Sequence, residues 1–288
     1  MFLNYGIIEK NNLSNIVPES EIWILKTRVI SAICILSITF LFVLLSPLSR
    51  IVFFTAVGIV CAYEYSKNVE KLDAACTLWV MVLYLIAQAV LAYFNIGLLS
   101  YTICFIACVY LSLFSGVLHK KVSGRGALYT LAGLNYPCLL FGLIMVISVS
   151  DVWWQTLVLA CASTWICDTF ALFGGLKFGK HKIAPLVSPK KSVEGCISGA
   201  LSSVLTGVII YFIYKNAYPL PMGFCVFTAL LASTMGQIGD LAESLIKRMI
   251  GVKDFSNLIP GHGGAFDRVD SLLFSIPTTY ICFMLAGY

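Results

Sequence analysis

Residues 244–270 read SLIKRMIGVKDFSNLIPGHGGAFDRVD, a polar block set between the apolar stretches 218–240 and 270–287. Charge at a membrane boundary is costly unless it is paired, bound to metal or engaged with a ligand. The block therefore marks a place where two membrane helices end at a common face, and its residues suit a site for a phosphorylated substrate.

Working outward, the whole chain has the composition of a polytopic membrane protein. Its 288 residues are 59% hydrophobic and only 11% charged, against about 25% charged in a soluble domain, and mean hydropathy is +0.92. The eleven cysteines lie scattered through apolar stretches with no C-x-x-C pair, so they read as small buried hydrophobes rather than zinc ligands or a disulfide framework. Nothing in this composition suggests a nucleic-acid partner.

A membrane-spanning helix needs about 20 apolar residues. Nine stretches fit: 29–46, 47–66, 74–94, 97–118, 127–149, 152–174, 195–214, 218–240 and 270–287. The expected fold is all-α, with about nine transmembrane helices. The first two spans meet at the Ser46–Arg50 turn as a tight hairpin. Residues 1–28, interrupted by Glu9, Glu19 and Glu21, read as a cytoplasmic or interfacial segment rather than a cleavable signal. A single catalytic domain follows over 29–288, with its motifs in 152–288.

The cations orient the chain. With the N-terminus inside, one set of loops holds fourteen: Lys67, Lys71, Lys120, Lys121, Arg125, Lys177, Lys180, Lys182, Lys190, Lys191, Lys247, Arg248, Lys253 and Arg268. The opposite loops hold Arg50 and Lys215. This positive-inside asymmetry predicts N-in and C-out. Asp168, Asp240, Glu243, Asp267 and Asp270 then fall near the same cytoplasmic face, from three separate spans.

Asp240, Glu243 and Lys247 follow helical spacing, with Ser244 and Arg248 on the adjacent stripe. Asp267 and Asp270 share a face at the start of the last span, preceded by Pro260-Gly261-His262-Gly263-Gly264. Backbone amides in a glycine-rich run ahead of a helix can cradle phosphate. Carboxylates beside Lys and Arg suit Mg²⁺ and a polyphosphate, because Mg²⁺ takes one or two carboxylates plus substrate oxygens. A second cation is compatible with so many acids. His119, His181 and His262 form no zinc pattern.

A second block, 168–195, reads DTFALFGGLKFGKHKIAPLVSPKKSVEG. Asp168 is expected about 9 Å inside the end of its span, where an acid should face a cavity. Lys180, Lys182, Lys190 and Lys191 follow it, with Ser188-Pro189 starting a turn. The G-x-x-x-x-G-K-[ST] of a P-loop is not completed, since His181 follows Lys180.

These residues resemble the phosphatidate cytidylyltransferases, also called CDP-diacylglycerol synthases. The family signature is matched by Ser244, Lys247, Arg248, Lys253, Asp254, His262, Gly263, Gly264, Asp267, Arg268 and Asp270 at the family's spacing. An upstream element is matched by Asp168, Ala171, Gly175, Phe178, Gly179, Lys180, His181, Lys182, Pro185, Ser188, Pro189, Lys191 and Gly195. Ala265 and Leu172 depart from the family's usual larger aliphatic and aromatic residues at packing positions. The N-terminal half matches in hydropathy alone.

The resemblance implies that CTP and phosphatidate are converted to CDP-diacylglycerol and pyrophosphate for phospholipid synthesis. It implies a Mg²⁺-dependent, homodimeric enzyme of the bacterial-type inner membrane with its site on the cytoplasmic face. By the same resemblance Asp240 and Asp267 hold the metal, with Asp270 in or near its shell. Lys247 and Arg248 contact phosphate, and Ser188, Lys190 and Lys191 help hold nucleotide or lipid phosphate. Asp168, Lys180, Lys182, Glu243, Ser244, Lys253 and Arg268 complete the expected substrate surface, and His262 is a candidate hydrogen-bond donor to phosphate.

Two other readings use the same residues. A CTP-dependent polyprenol or phytol kinase would transfer the γ-phosphoryl group to an alcohol. A transporter of anionic metabolites would favour inverted repeats and charges near the midplane; no internal repeat is visible here.

Overall fold

The computed structural model describes residues 19–118 and 124–288. Residues 1–18 of the expected N-terminal surface segment, and His119, Lys120 and Lys121, lie outside the described residues. From Glu19 that segment is already helical.

The elements run α1 (Glu19–Leu45), α2 (Pro47–Val69), α3 (Leu78–Tyr93), α4 (Leu98–Leu118), α5 (Gly124–Gly133), α6 (Leu140–Ile147), α7 (Trp153–Phe178), β1 (Lys182–Ala184), β2 (Ser188–Ser192), α8 (Val193–Tyr214), α9 (Met222–Ile250) and α10 (Phe266–Leu285). Each of the nine apolar stretches coincides with a helix or, for 127–149, with the α5–α6 pair. Among the described residues, seven helical stretches are long and apolar enough to cross a bilayer: α1, α2, α4, the α5–α6 unit, α7, α8 and α9. At 16 residues α3 is shorter, and α10 carries Asp267, Arg268 and Asp270 in its opening turns. The chain is an all-α polytopic membrane protein.

The α1–α2 hairpin forms as expected. Ser46 accepts the Ser49 amide, Ser49 accepts the Ser46 amide in return, and Pro47 occupies the first helical turn; Pro there loses no intrahelical bond. At this end of the molecule Arg50 is buried. It donates to the carbonyls of Ser148 at 2.8 Å and Val43 at 3.3 Å and lies 3.8 Å from the centre of the Trp153 ring.

The structure departs from the expected spans in three places. The stretch 127–149 is two helices, because Tyr136 leaves helical geometry (φ −147°, ψ 108°) ahead of Pro137, whose ring and missing N–H break a helix. The stretch 218–240 continues to Ile250, so Lys247 and Arg248 are helical. The basic loop after α7 folds back as the antiparallel β1–β2 hairpin, pairing Lys182 with Ser192 and Ala184 with Ser188.

Two apolar clusters hold the bundle. The larger joins α2, α3, α6 and α10 through Tyr65, Tyr84, Leu85, Phe141, Leu273 and Ile276. The smaller joins α7, α8, α9 and the end of α10 through Leu159, Ile210, Cys225, Ala229 and Phe283. Between α7 and α8 the backbones nearly touch: a Cβ at Gly199 would lie 2.7 Å from the Cys167 carbonyl oxygen. Small residues at such a crossing are what permits helices to pack in a membrane, where no hydrophobic drive favours association.

Candidate active site

The last three turns of α9 and the first turn of α10 form an acid-lined crevice. Gly239 sets their separation, since a Cβ there would lie 2.7 Å from the Asp270 carbonyl oxygen. That approach brings one carboxylate oxygen each from Asp240, Glu243 and Asp270 within 4.8 Å of one another. Glu243 is fully buried, and neither of its oxygens accepts a well-aligned hydrogen bond. Its charged neighbour is Lys247, at 2.5 Å.

Lysines flank the acids. Lys191, delivered by β2, pairs with Asp240 and reaches the Gln237 carbonyl at 3.4 Å. Lys247 is itself buried and bridges Glu243 to Asp267, at 2.8 Å from the latter. Asp168 on α7 lies within electrostatic reach of Asp240, Lys191 and Asp270. Five carboxylates, Asp168, Asp240, Glu243, Asp267 and Asp270, thus gather around two ammonium groups, those of Lys191 and Lys247.

Asp267 is engaged differently. Its Oδ1 accepts from Lys247, while Oδ2 accepts the amides of Phe255 and Gly264, each at 2.9 Å. It closes the loop between α9 and α10 onto the helix that follows. The structure gathers Asp240, Glu243 and Asp270, with Asp267 one lysine away.

Glu64, which the sequence reading did not single out, completes the arrangement. It is buried in α2, and its carboxylate accepts the amides of Ala265 (3.0 Å) and Phe266 (2.9 Å) and the Ser256 hydroxyl (2.5 Å). The first amides of a helix lack intrahelical acceptors and carry its positive dipole end. Ala265, the residue before α10, provides no side-chain cap; Glu64 does so from 201 positions away. One turn further on, Asn68 donates to the Phe255 carbonyl at 2.6 Å. The available signal was a lone acid in the apolar run Ala62-Tyr63-Glu64-Tyr65, since an ionisable residue inside a span is a functional candidate by default.

The remaining expected residues lie around this centre. Lys180, Lys182, Ser188 and Lys190 are on or beside the hairpin, whose base is held by Glu194: its carboxylate accepts the Lys180 and His181 amides and contacts His181 Nδ1 at 2.6 Å. Arg248 donates to the carbonyls of Val187 and Val252, fastening α9 to the hairpin. Ser244 is buried in α9. Lys253, His262 and Arg268 line a different cavity, which they share with Arg28 of α1.

Residues 26–286 match the family model described as the cytidylyltransferase family. A phosphatidate cytidylyltransferase of Brucella abortus is 34% identical over 261 residues, covering 89% of this chain and 92% of that protein. Local matches are stronger but shorter. The enzyme of the same description from Thermotoga maritima is 44% identical over 137 residues, 44% of this chain and 48% of its own length. That from Bacillus subtilis is 41% identical over 127 residues, 44% and 46% respectively.

Proposed function

The chain belongs to the cytidylyltransferase family, and from that premise we propose that it transfers the cytidylyl group of CTP to phosphatidate, giving CDP-diacylglycerol and pyrophosphate. The observation that carries the reading to particular residues is the cluster of Asp240, Glu243 and Asp270, with the buried Glu243 short of hydrogen-bond donors.

The donor set suits Mg²⁺. It is all oxygen, and one carboxylate oxygen from each of the three residues lies within 4.8 Å of the others, which suits a hard cation that takes oxygen ligands. Asp240, Glu243 and Asp270 would hold the ion. When bound, the metal would neutralise phosphate oxygens and the charge that develops on the leaving pyrophosphate.

The chain's own residues supply position and charge. A phosphate oxygen of phosphatidate forms a bond to the α-phosphorus of CTP, and the bond between that phosphorus and the β-bridging oxygen breaks. The nucleophile needs no strong base, because the second pKa of a phosphate monoester is about 6. The obstacle is bringing two polyanions together, and Lys191 and Lys247 address it electrostatically. Asp267 fixes where Lys247 points, and Glu64 fixes where Asp267 and Asp270 emerge from the loop. The hairpin lysines Lys180, Lys182 and Lys190, with Ser188, lie where a triphosphate would approach from water.

The segregation of cations supports a cytoplasmic-facing crevice in a bacterial-type inner membrane. The family resemblance supports a homodimer, which crosslinking in membranes would test. The activity is tested with purified protein, labelled CTP and phosphatidate in detergent micelles. CDP-diacylglycerol and pyrophosphate should appear with Mg²⁺ and vanish with EDTA. Formation of CDP and a phosphorylated alcohol from a diacylglycerol or polyprenol acceptor would instead establish the kinase reading.

A further inference from the structure

A buried tyrosine from the half of the chain that carries none of the signature residues packs against the helix that bears Asp270. Tyr136 stands at the break between α5 and α6, where its backbone is extended (φ −147°, ψ 108°). Its ring packs against two rings of α10, with centroids 5.1 Å from that of Phe266 and 5.6 Å from that of Phe274. Phe266, Asp270 and Phe274 succeed one another at four-residue spacing, so they form one stripe on α10. A ring that meets both phenylalanines therefore lies across the position of Asp270.

The hydroxyl at the end of this ring is buried, and it has no hydrogen-bond partner among the described residues. Within its electrostatic reach are Asp270, Glu243, Cys61 and Asp240, three of them the acids of the crevice. Glu243 is short of partners in the same way at both of its oxygens. Asp270 Oδ1 accepts the Ser271 amide at 2.6 Å and the Ser271 hydroxyl at 3.3 Å, both local to its own helix. An unused donor thus lies among under-supplied acceptors. Packing does not account for the hydroxyl. Phenylalanine would make the same ring contacts, and a buried hydroxyl without a partner is destabilising. Such a group calls for a specific role, and one beside a candidate ion site has an obvious one.

We propose that Tyr136 is a positioning residue of the crevice: its hydroxyl supplies the hydrogen bond that holds the Asp270 carboxylate in place when Asp240, Glu243 and Asp270 close on a divalent cation. Groups that orient metal ligands in this way typically change metal affinity by about 10–100-fold. The hydroxyl is sealed from solvent, so it acts through the carboxylate rather than on nucleotide or lipid. The inference rests on the ion-binding reading of the crevice and not on which reaction takes place there. It gives the N-terminal half a second part in the site, beside that of Glu64 at the start of α10.

The test is Mn²⁺ binding by the full-length protein in detergent, followed by electron paramagnetic resonance, with thermal unfolding of each protein in EDTA. Wild type is compared with Tyr136→Phe, Tyr136→Leu, Asp270→Asn and the Tyr136→Phe/Asp270→Asn double variant. Tyr136→Phe keeps the ring and loses only the hydroxyl. It should weaken Mn²⁺ about tenfold with the metal-free melting temperature unchanged, whereas Tyr136→Leu should lower melting as well. On top of Asp270→Asn, Tyr136→Phe should weaken Mn²⁺ by no more than about twofold further, because groups in one network are not additive. Mn²⁺ affinity in Tyr136→Phe within about twofold of wild type would overturn the positioning role. A full tenfold loss on top of Asp270→Asn would overturn the assignment to Asp270. Metal-free melting of Tyr136→Phe as low as that of Tyr136→Leu would make the hydroxyl part of the packing alone. Failure of the ion reading itself looks different: wild type would bind no Mn²⁺, or Asp240→Asn would bind it as well as wild type.

Discussion

Two sets of buried and half-buried carboxylates meet where α9, the loop after it and α10 join, and they are held differently. Asp267 and Glu64 are saturated: each accepts at least two backbone amides, and each has a further donor in Lys247 or Ser256. Asp240, Glu243 and Asp270 face one another; Asp240 pairs with Lys191, Asp270 accepts the amide and hydroxyl of Ser271, and Glu243 lacks aligned donors and shares Lys247 with Asp267. A buried charge whose oxygens are all hydrogen-bonded is compensated by the fold, whereas one left short of donors carries a desolvation cost that a bound cation would relieve. Residue type does not separate the two sets; the supply of donors does so most sharply between Asp267 and Glu243.

The sharpest way to break this comparison is to remove charge from the unsaturated set. Asp240→Asn or Glu243→Gln should lower turnover roughly thousandfold, the order expected when a main electrostatic element is lost, with the protein still inserted and folded. Steady-state rates and a thermal-unfolding scan on the same preparations decide it. Near-normal turnover in Glu243→Gln would put that residue on the structural side.

The saturated set should respond in stability first. Glu64→Ala strands the Ala265 and Phe266 amides and the Ser256 hydroxyl, and each unsatisfied buried group costs about 1–3 kcal/mol. A fall in melting temperature of several degrees should accompany reduced turnover, and Glu64→Gln, which keeps an acceptor, should recover much of both. A Glu64→Ala protein with wild-type melting and a changed Mg²⁺ requirement would place Glu64 with the metal ligands instead.

A smaller effect belongs to the spacing between α9 and α10. Gly239→Ala puts a methyl 2.7 Å from the Asp270 carbonyl oxygen, and overpacking of this kind costs typically about 1–3 kcal/mol. The crevice should widen, so the Mg²⁺ concentration for half-maximal rate should rise while maximal rate falls modestly. The least effect is expected at Lys182, exposed on β1: Lys182→Ala should keep turnover within about twofold and raise the KM for CTP slightly.

Much of this was legible in the sequence because lipid simplifies the reading. Apolar length marks helices, and the cations and acids collected at their ends mark a site; Asp168, Asp240, Glu243, Lys191, Lys247 and Asp270 are all found near one centre. The difference in hydrogen bonding between Asp267 and Glu243 was not legible. Spacing puts Asp267 and Asp270 on one face, and only the path of the loop turns the amides of Phe255 and Gly264 toward Asp267. Glu64 stayed hidden because its partners lie about two hundred residues away, although an acid inside an apolar span was itself a clue. The hairpin left no periodic trace, since Lys-Ile-Ala and Ser-Pro-Lys-Lys-Ser are too short to alternate. Pro137 announced the break between α5 and α6, and a hydropathy window averages over it.

The division of labour between the two sets is tested most directly by Mn²⁺ binding, followed by electron paramagnetic resonance, in purified wild-type, Glu243→Gln and Asp267→Asn proteins. The account predicts that Glu243→Gln weakens Mn²⁺ at least tenfold while Asp267→Asn stays within about threefold of wild type. Loss of Mn²⁺ in Asp267→Asn with retention in Glu243→Gln would contradict it.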